Sequence, residues 1–305
     1  MQPFQENFDL KESGRQARLE YLMQKSVATG NAEIDAVLEG GVEVGNFYAI
    51  LGPAKNGKST VLRCLGISLA KNFPVLYVNF EQTGRNIFSK LYSMIYGHSF
   101  REHVHTDPTA TDLNIESMPD IPFYVAFWPE KLEIKAFNTT IKDNLLKSIN
   151  FITDKDPEHR KPIIILENLS DCINDRINGH DNLTNVVTQT AQDIKNFAVF
   201  NNVAIFLAHH TAKIQGDEPT MDDVRDSKRV CDLAHSVFAA YVKIEKDPFD
   251  GHPKNVYKFK YIAGRGRSEP MRWNVKVMGI NMTLEPCVYS PELDRNGKEK
   301  FRITL

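Results

Sequence analysis

The sequence predicts an α/β fold, a mainly parallel β-sheet flanked by helices, with a phosphate-binding loop at the carboxyl edge of the sheet. Three observations carry this. Residues 50–60 read Ile-Leu-Gly-Pro-Ala-Lys-Asn-Gly-Lys-Ser-Thr, so Gly52, Gly57, Lys58 and Ser59 complete the pattern G-x-x-x-x-G-K-[ST] directly after the apolar run Phe47 to Leu51. Apolar runs at Phe47 to Leu51, Val75 to Phe80, Phe123 to Phe127, Ile163 to Leu166 and Val203 to Ala208 alternate with helical patterns at 58–71, 84–96, 141–152 and 184–200. Several of the runs are almost continuously apolar, as strands are when both faces of a sheet are covered.

Taken in chain order, the loop comes first. A glycine-rich turn aims backbone N–H groups at phosphate oxygens, Lys58 reaches the terminal phosphates and the Ser59 hydroxyl ligates magnesium. The residues expected to line the nucleotide are Gly52, Pro53, Ala54, Lys55, Asn56, Gly57, Lys58, Ser59 and Thr60. The helix that follows, with Leu62, Leu65, Leu69 and Ala70 on its apolar positions, adds its positive dipole end. The run Val75 to Phe80 ends in Glu81, either a general base for water attacking the terminal phosphate or a solvated glutamate capping the next helix. Residues 98–121 read as a loop, and His98, His103 and His105 within it lack a metal-ligand partner set.

Ile163 to Leu166 is followed by Glu167, a carboxylate placed to hold magnesium through water or simply a charge that ends a buried strand. Val203 to Ala208 delivers His209 and His210 to the same edge, where one of them can sense the terminal phosphate or merely close the strand. In the stretch 211–229, Lys213, Arg225, Lys228 and Arg229 are diluted by Asp217, Glu218, Asp222, Asp223 and Asp226, so a nucleic-acid contact and a solvated loop both fit. Arg265 and Arg267 alternate with Gly264 and Gly266 after the strand Val256 to Ile262. That spacing suits insertion into a partner's nucleotide site and equally a surface hairpin turn.

A chain of 305 residues, 42% hydrophobic and 25% charged, can bury a large core. Its formal net charge of −2 excludes nucleic-acid binding through global positive charge and leaves only a local basic patch. Cys64, Cys172, Cys231 and Cys287 form no C-x-x-C pair, which speaks against a zinc site and a disulfide framework and for a reducing cytoplasm. The start of the chain lacks the apolar core of a signal peptide, and no run of about 18 apolar residues suggests a membrane span. Three segments are expected: a polar stretch 1–24 with a candidate subunit-docking helix around Arg18 to Met23, a catalytic domain over 25–285, and a carboxyl-terminal strand or tail over 286–305.

These motifs, in this order, resemble the RecA-like ATPase core of the DnaB-like hexameric helicases. The smaller plasmid RepA helicases and the RadA/KaiC group are similar too. The resemblance runs from about Gly30 to Lys276. Ile34-Asp35, Gly40-Gly41 and Gly45 resemble the family's lead-in to its phosphate loop, and Val78 to Gln82 resembles the strand that ends in its catalytic glutamate, which favours that role for Glu81. Ile163 to Asn168 resembles the Walker B strand, with glutamate where aspartate is usual. His209, His210 and Lys213 match the histidine pair followed by a lysine of the RepA-like branch, and Met221 to Ser227 resembles the segment that follows a DNA-facing loop.

The resemblance implies ATP and Mg2+ as ligands, single-stranded DNA as a partner and a homo-oligomer of six subunits. It implies His209 as the sensor, Arg265 and Arg267 as fingers acting on the next subunit, and Lys213, Arg225 and Lys228 as couplers to the DNA channel. Two other readings share these motifs: a DNA-binding ATPase that is not a helicase, such as a recombination mediator or helicase-associated regulator, and a KaiC-like signalling ATPase with protein partners only.

Overall fold

The computed structural model describes residue 15 and residues 26–54, 57–80, 82–118, 120–128, 139–168, 183–212, 218–224, 228–246, 252–264, 271–278, 281–286, 289–293 and 299–303. Outside them lie Lys55, Asn56, Glu81, Lys213, Arg225, Arg265 and Arg267, and all of the segment 1–24 except residue 15.

Beyond a short pair, β1 (Ser26–Val27) with β2 (Val42–Glu43), the apolar runs become strands: β3 (Phe47–Gly52), β4 (Val75–Asn79), β5 (Phe123–Phe127), β6 (Ile163–Glu167) and β7 (Ile205–His210). Four more join them, β8 (Ser236–Lys246), β9 (Pro253–Gly264), β10 (Met271–Met278) and β11 (Asn281–Pro286), in one nine-stranded sheet of order β11-β10-β9-β8-β3-β7-β6-β4-β5. The six strands from β8 to β5 are parallel, and β9, β10 and β11 extend the sheet antiparallel from β8. Strands β12 (Tyr289–Leu293) and β13 (Glu299–Ile303) form a separate hairpin.

The helices are α1 (Ala32–Val37), α2 (Lys58–Ala70), α3 (Gly84–Tyr96), α4 (Phe100–Thr106), α5 (Pro108–Glu116), α6 (Thr139–Lys155), α7 (Leu183–Asn201) and α8 (Arg229–Leu233). One core gathers α2 and Ile87 and Leu91 of α3 against one sheet face, reaching Phe259 and Trp273 on the antiparallel extension; the other packs α6, α7 and α8 on the opposite face. Every residue from Ile163 to Leu166 is fully buried, which explains why β6 carries no polar alternation. Phe259, Tyr261 and Trp273 of the extension join the first core, with Phe238 of β8 stacked on Phe259 at 5.1 Å.

The stretch 98–121, expected as a loop, contains α4 and α5. Their caps explain it: the Ser99 hydroxyl accepts from Glu102 N and the Asp107 carboxylate from Ala110 N, with Pro108 opening α5. His103 of α4 is held by the Tyr92 hydroxyl at 2.7 Å.

At the far end of the sheet, Asp156 accepts from Arg160 through Nε at 2.9 Å and Nη2 at 2.8 Å, while Arg160 Nη1 donates to Asn72 O at 2.9 Å, tying the end of α6 to the turn before β4. The Arg160 guanidinium, outweighing burial, lowers the Asp156 carboxyl from 3.8 to about 2. Asp156→Asn is therefore expected to cost about 1–3 kcal/mol near neutral pH. A depressed carboxyl stabilises fully above its ordinary value and loses that contribution as pH falls through its folded value, so the difference from wild type should shrink between about pH 4 and pH 2. Urea unfolding of both proteins at pH 6 and pH 2.5 checks this.

Candidate functional site

The parallel strands end in register. Leu51 pairs with His209 and Gly52 with His210 across β3 and β7, Leu166 with Leu207 across β6 and β7, and Asn79 with Glu167 across β4 and β6. Four chain ends thus meet at one edge, and there a cleft of about 620 Å³ opens, lined by Ala54, Gly57, Lys58, Ser59 and Thr60 of the loop, by Glu167, Asn168 and His210 of the neighbouring strand ends, and by Tyr257 of β9. Its far wall is Gln82 with Lys90, Ser93 and Met94 of α3. Ligands gather at this edge of parallel sheets because helix amino ends point toward it.

Local sequence explains the loop's shape. Gly57 is left-handed, φ +80°, and a Cβ there would lie 2.7 Å from the Tyr257 ring and 2.9 Å from Val242. Gly52 has no room either, since a Cβ would meet Ala240 O at 2.2 Å. With Gly57 as amino cap, α2 starts at Lys58, so its first N–H groups face the cleft.

Lys58 is buried, its ammonium 3.1 Å from His210 Nδ1 and 3.4 Å from Gly52 O. Since an ammonium only donates, His210 Nδ1 is the acceptor and its proton sits on Nε2; a donor there needs an acceptor, so the Asn168 amide is assigned with its oxygen, rather than its nitrogen, toward Nε2. His210, not His209, therefore occupies the cleft. His209, the residue expected as the sensor, is fully buried within β7 and is not among the residues that line the cleft.

Glu167 is buried, with one oxygen accepting from the Tyr77 hydroxyl and from Asn79 Nδ2 at 3.0 Å. Burial raises the Tyr77 phenol well above its ordinary value and the Glu167 carboxylate raises it further, so Tyr77 stays a donor. Arg63 of α2 lines the cleft behind them, buried, with Nη2 donating to Thr60 Oγ1 at 3.4 Å. The donor set at this end, the Ser59 hydroxyl and the Glu167 carboxylate, is hard oxygen and suits magnesium shared with phosphates. Among the described residues no group of three or more His, Cys, Asp or Glu could hold a metal alone.

Of the residues expected to face DNA, Lys228 is described. It is exposed and pairs with Asp222 at 2.5 Å, a surface pair that salt screens. Thr211 is bridged to Val224, and Ala212 N donates to Asp223 O. Glu218 is gripped by Lys260 at 3.1 Å and Arg272 at 2.7 Å, a pair facing each other across β9 and β10. Sequence reasoning missed Arg63, Tyr77, Asn79, Asn168 and Tyr257 at the site. For Tyr77 and Asn79 a signal existed, since alternation along β4 puts both on one face with its end at the cleft.

No family model matches the chain. A stretch of 81 residues is 37% identical to the DNA repair protein RadA of Pseudomonas aeruginosa, covering 25% of this chain and 18% of that protein, so the match spans under a fifth of the relative's length. Among solved structures, a DnaB-like replicative helicase, studied with its interactions with primase, superimposes with a TM-score of 0.68 at 16% identity, over 92% of this chain and 68% of that one. The ATPase domain of G40P superimposes with a TM-score of 0.69, again at 16% identity, over 91% of this chain and 99% of that one. The fold is the RecA-like α/β fold of DnaB-type helicase ATPase domains. Among the described residues no helix is long and apolar enough to cross a membrane.

Proposed function

We propose that this chain is a RecA-like ATPase that assembles into a ring of six subunits and hydrolyses ATP to move on or remodel single-stranded DNA. The observation that carries the reading is the register of the strand ends, which gathers Lys58, Ser59, Glu167 and His210 around one cleft. ATP enters with its phosphates along the amino end of α2. Lys58 turns from His210 and Gly52 O to the terminal phosphates, and His210, released, reads whether the last phosphate is present.

Ser59 and Glu167 would hold magnesium, which when bound neutralises charge on the outer phosphates. Glu81 polarises the attacking water, and Arg265 and Arg267 complete the site of a neighbouring subunit. The Tyr257 ring beside Gly57 offers an apolar face to the nucleotide's base or sugar. Lys213, Arg225 and Lys228 couple the site to the DNA strand.

The match to RadA favours a second reading, a DNA-binding ATPase in recombination or repair whose hydrolysis switches assembly rather than driving unwinding. Steady-state ATP hydrolysis, titrated with single-stranded DNA at low and at higher salt, tests the common ground of both. The expected result is a DNA-dependent rise in rate that weakens as salt increases. Turnover indifferent to DNA would sink both readings and point to a protein-directed ATPase. Strand displacement from a forked duplex then separates a helicase from a switch.

A further inference from the structure

Asn79 is almost fully buried at the end of β4, and both ends of its amide are engaged at the catalytic edge. Oδ1 accepts from Gln82 N at 2.6 Å, and Nδ2 donates to a Glu167 oxygen at 3.0 Å. The amide orientation follows from its partners, because a backbone N–H can only donate and a carboxylate can only accept. Gln82 is the residue directly after Glu81 in the chain. One side chain therefore touches the carboxylate assigned to the metal and the backbone that follows the carboxylate assigned to water.

From this geometry we infer that Asn79 is a positioning residue that sets Glu167 and the backbone at Gln82, the neighbour of Glu81 in sequence, relative to each other, and so the spacing between metal and attacking water. The inference rests on the ATPase reading of the cleft. Few side chains could do both tasks: aspartate keeps the acceptor for Gln82 but places a like charge against Glu167, and serine is too short to span the two. The Tyr77 hydroxyl, the other donor to the same oxygen, narrows Glu167 to one orientation. Partners of this kind behind a metal ligand set its direction and basicity, and their loss weakens metal binding rather than nucleotide binding.

The test compares wild type with Asn79→Asp and Asn79→Ser. A fluorescent ATP analogue is bound in EDTA and then across a magnesium titration, with a thermal melt for each protein. In wild type, magnesium should strengthen analogue binding; if it does not, the ATPase reading fails and not the inference. In Asn79→Asp, the magnesium needed for half-effect should rise about ten- to a hundredfold while binding in EDTA stays within about twofold. In Asn79→Ser the same shift should be joined by a lower hydrolysis rate at saturating magnesium, since the contact to Gln82 is also lost. A folded Asn79→Asp protein with the wild-type magnesium dependence overturns the inference, as does a melt lowered with no change in that dependence. Loss of the fold in both variants overturns it too, because Asn79 would then serve the core.

Discussion

Lys58→Ala is expected to lose ATP hydrolysis by about a hundredfold to a thousandfold, the range found when one positioned donor to transition-state charge is removed. The expectation comes from where the ammonium sits: at the amino end of α2, buried beside the loop, 3.1 Å from His210 and 3.4 Å from Gly52 O. Alanine is the best helix former, so α2 should persist and the fold with it. Hydrolysis measured beside a circular-dichroism melt separates the two. Wild-type turnover in this variant would remove the phosphate-loop assignment.

Arg267→Ala should lose hydrolysis by about 10³ to 10⁵, as loss of a trans-acting arginine does, and still bind nucleotide, because its own loop, Lys58 and Ser59 are untouched. The decisive measurement is complementation. A Glu81→Gln protein lacks the carboxylate proposed to activate water but keeps the arginines; mixed with Arg267→Ala, it should supply the proposed finger to a site whose glutamate is intact. With random assembly about a quarter of the junctions should be competent. Activity should therefore reappear on mixing two inactive proteins and peak near equal proportions. Absence of rescue, under conditions where labelled subunits are seen to exchange, would show that the arginines do not act across an interface.

The fold was largely legible because its strongest signals are local. The loop motif names its own geometry, and the boundaries expected for Phe123 to Phe127 and for the helix 84–96 agree with β5 and α3. The helices α4 and α5 were overlooked because they bury little, Thr111 alone in α5 and no residue of α4, so no apolar period marked them. Their signal lay in the caps, Ser99 with Glu102 and Asp107 with Pro108.

Site residues were legible only where they belong to a contiguous motif. His209 and His210 could not be told apart by alternation, because β7 is buried on both faces and only its end meets the cleft. Alternation along β4 places Tyr77 and Asn79 on one face, but that they meet Glu167, some ninety residues on, is not marked in a single chain read alone.

The hold of His210 and Gly52 O on Lys58 bears on how tightly any nucleotide can bind. The lysine is already solvated by protein before a ligand arrives, so phosphate binding is an exchange of acceptors, and the measured affinity is the difference between two sets of contacts. A ligand whose phosphates fall short of Lys58 gains nothing from it and leaves the resting pair in place. On the proposed reading, the cleft would rank nucleotides by reach, since a diphosphate would have to compete with His210 for the same ammonium while a triphosphate would offer it more.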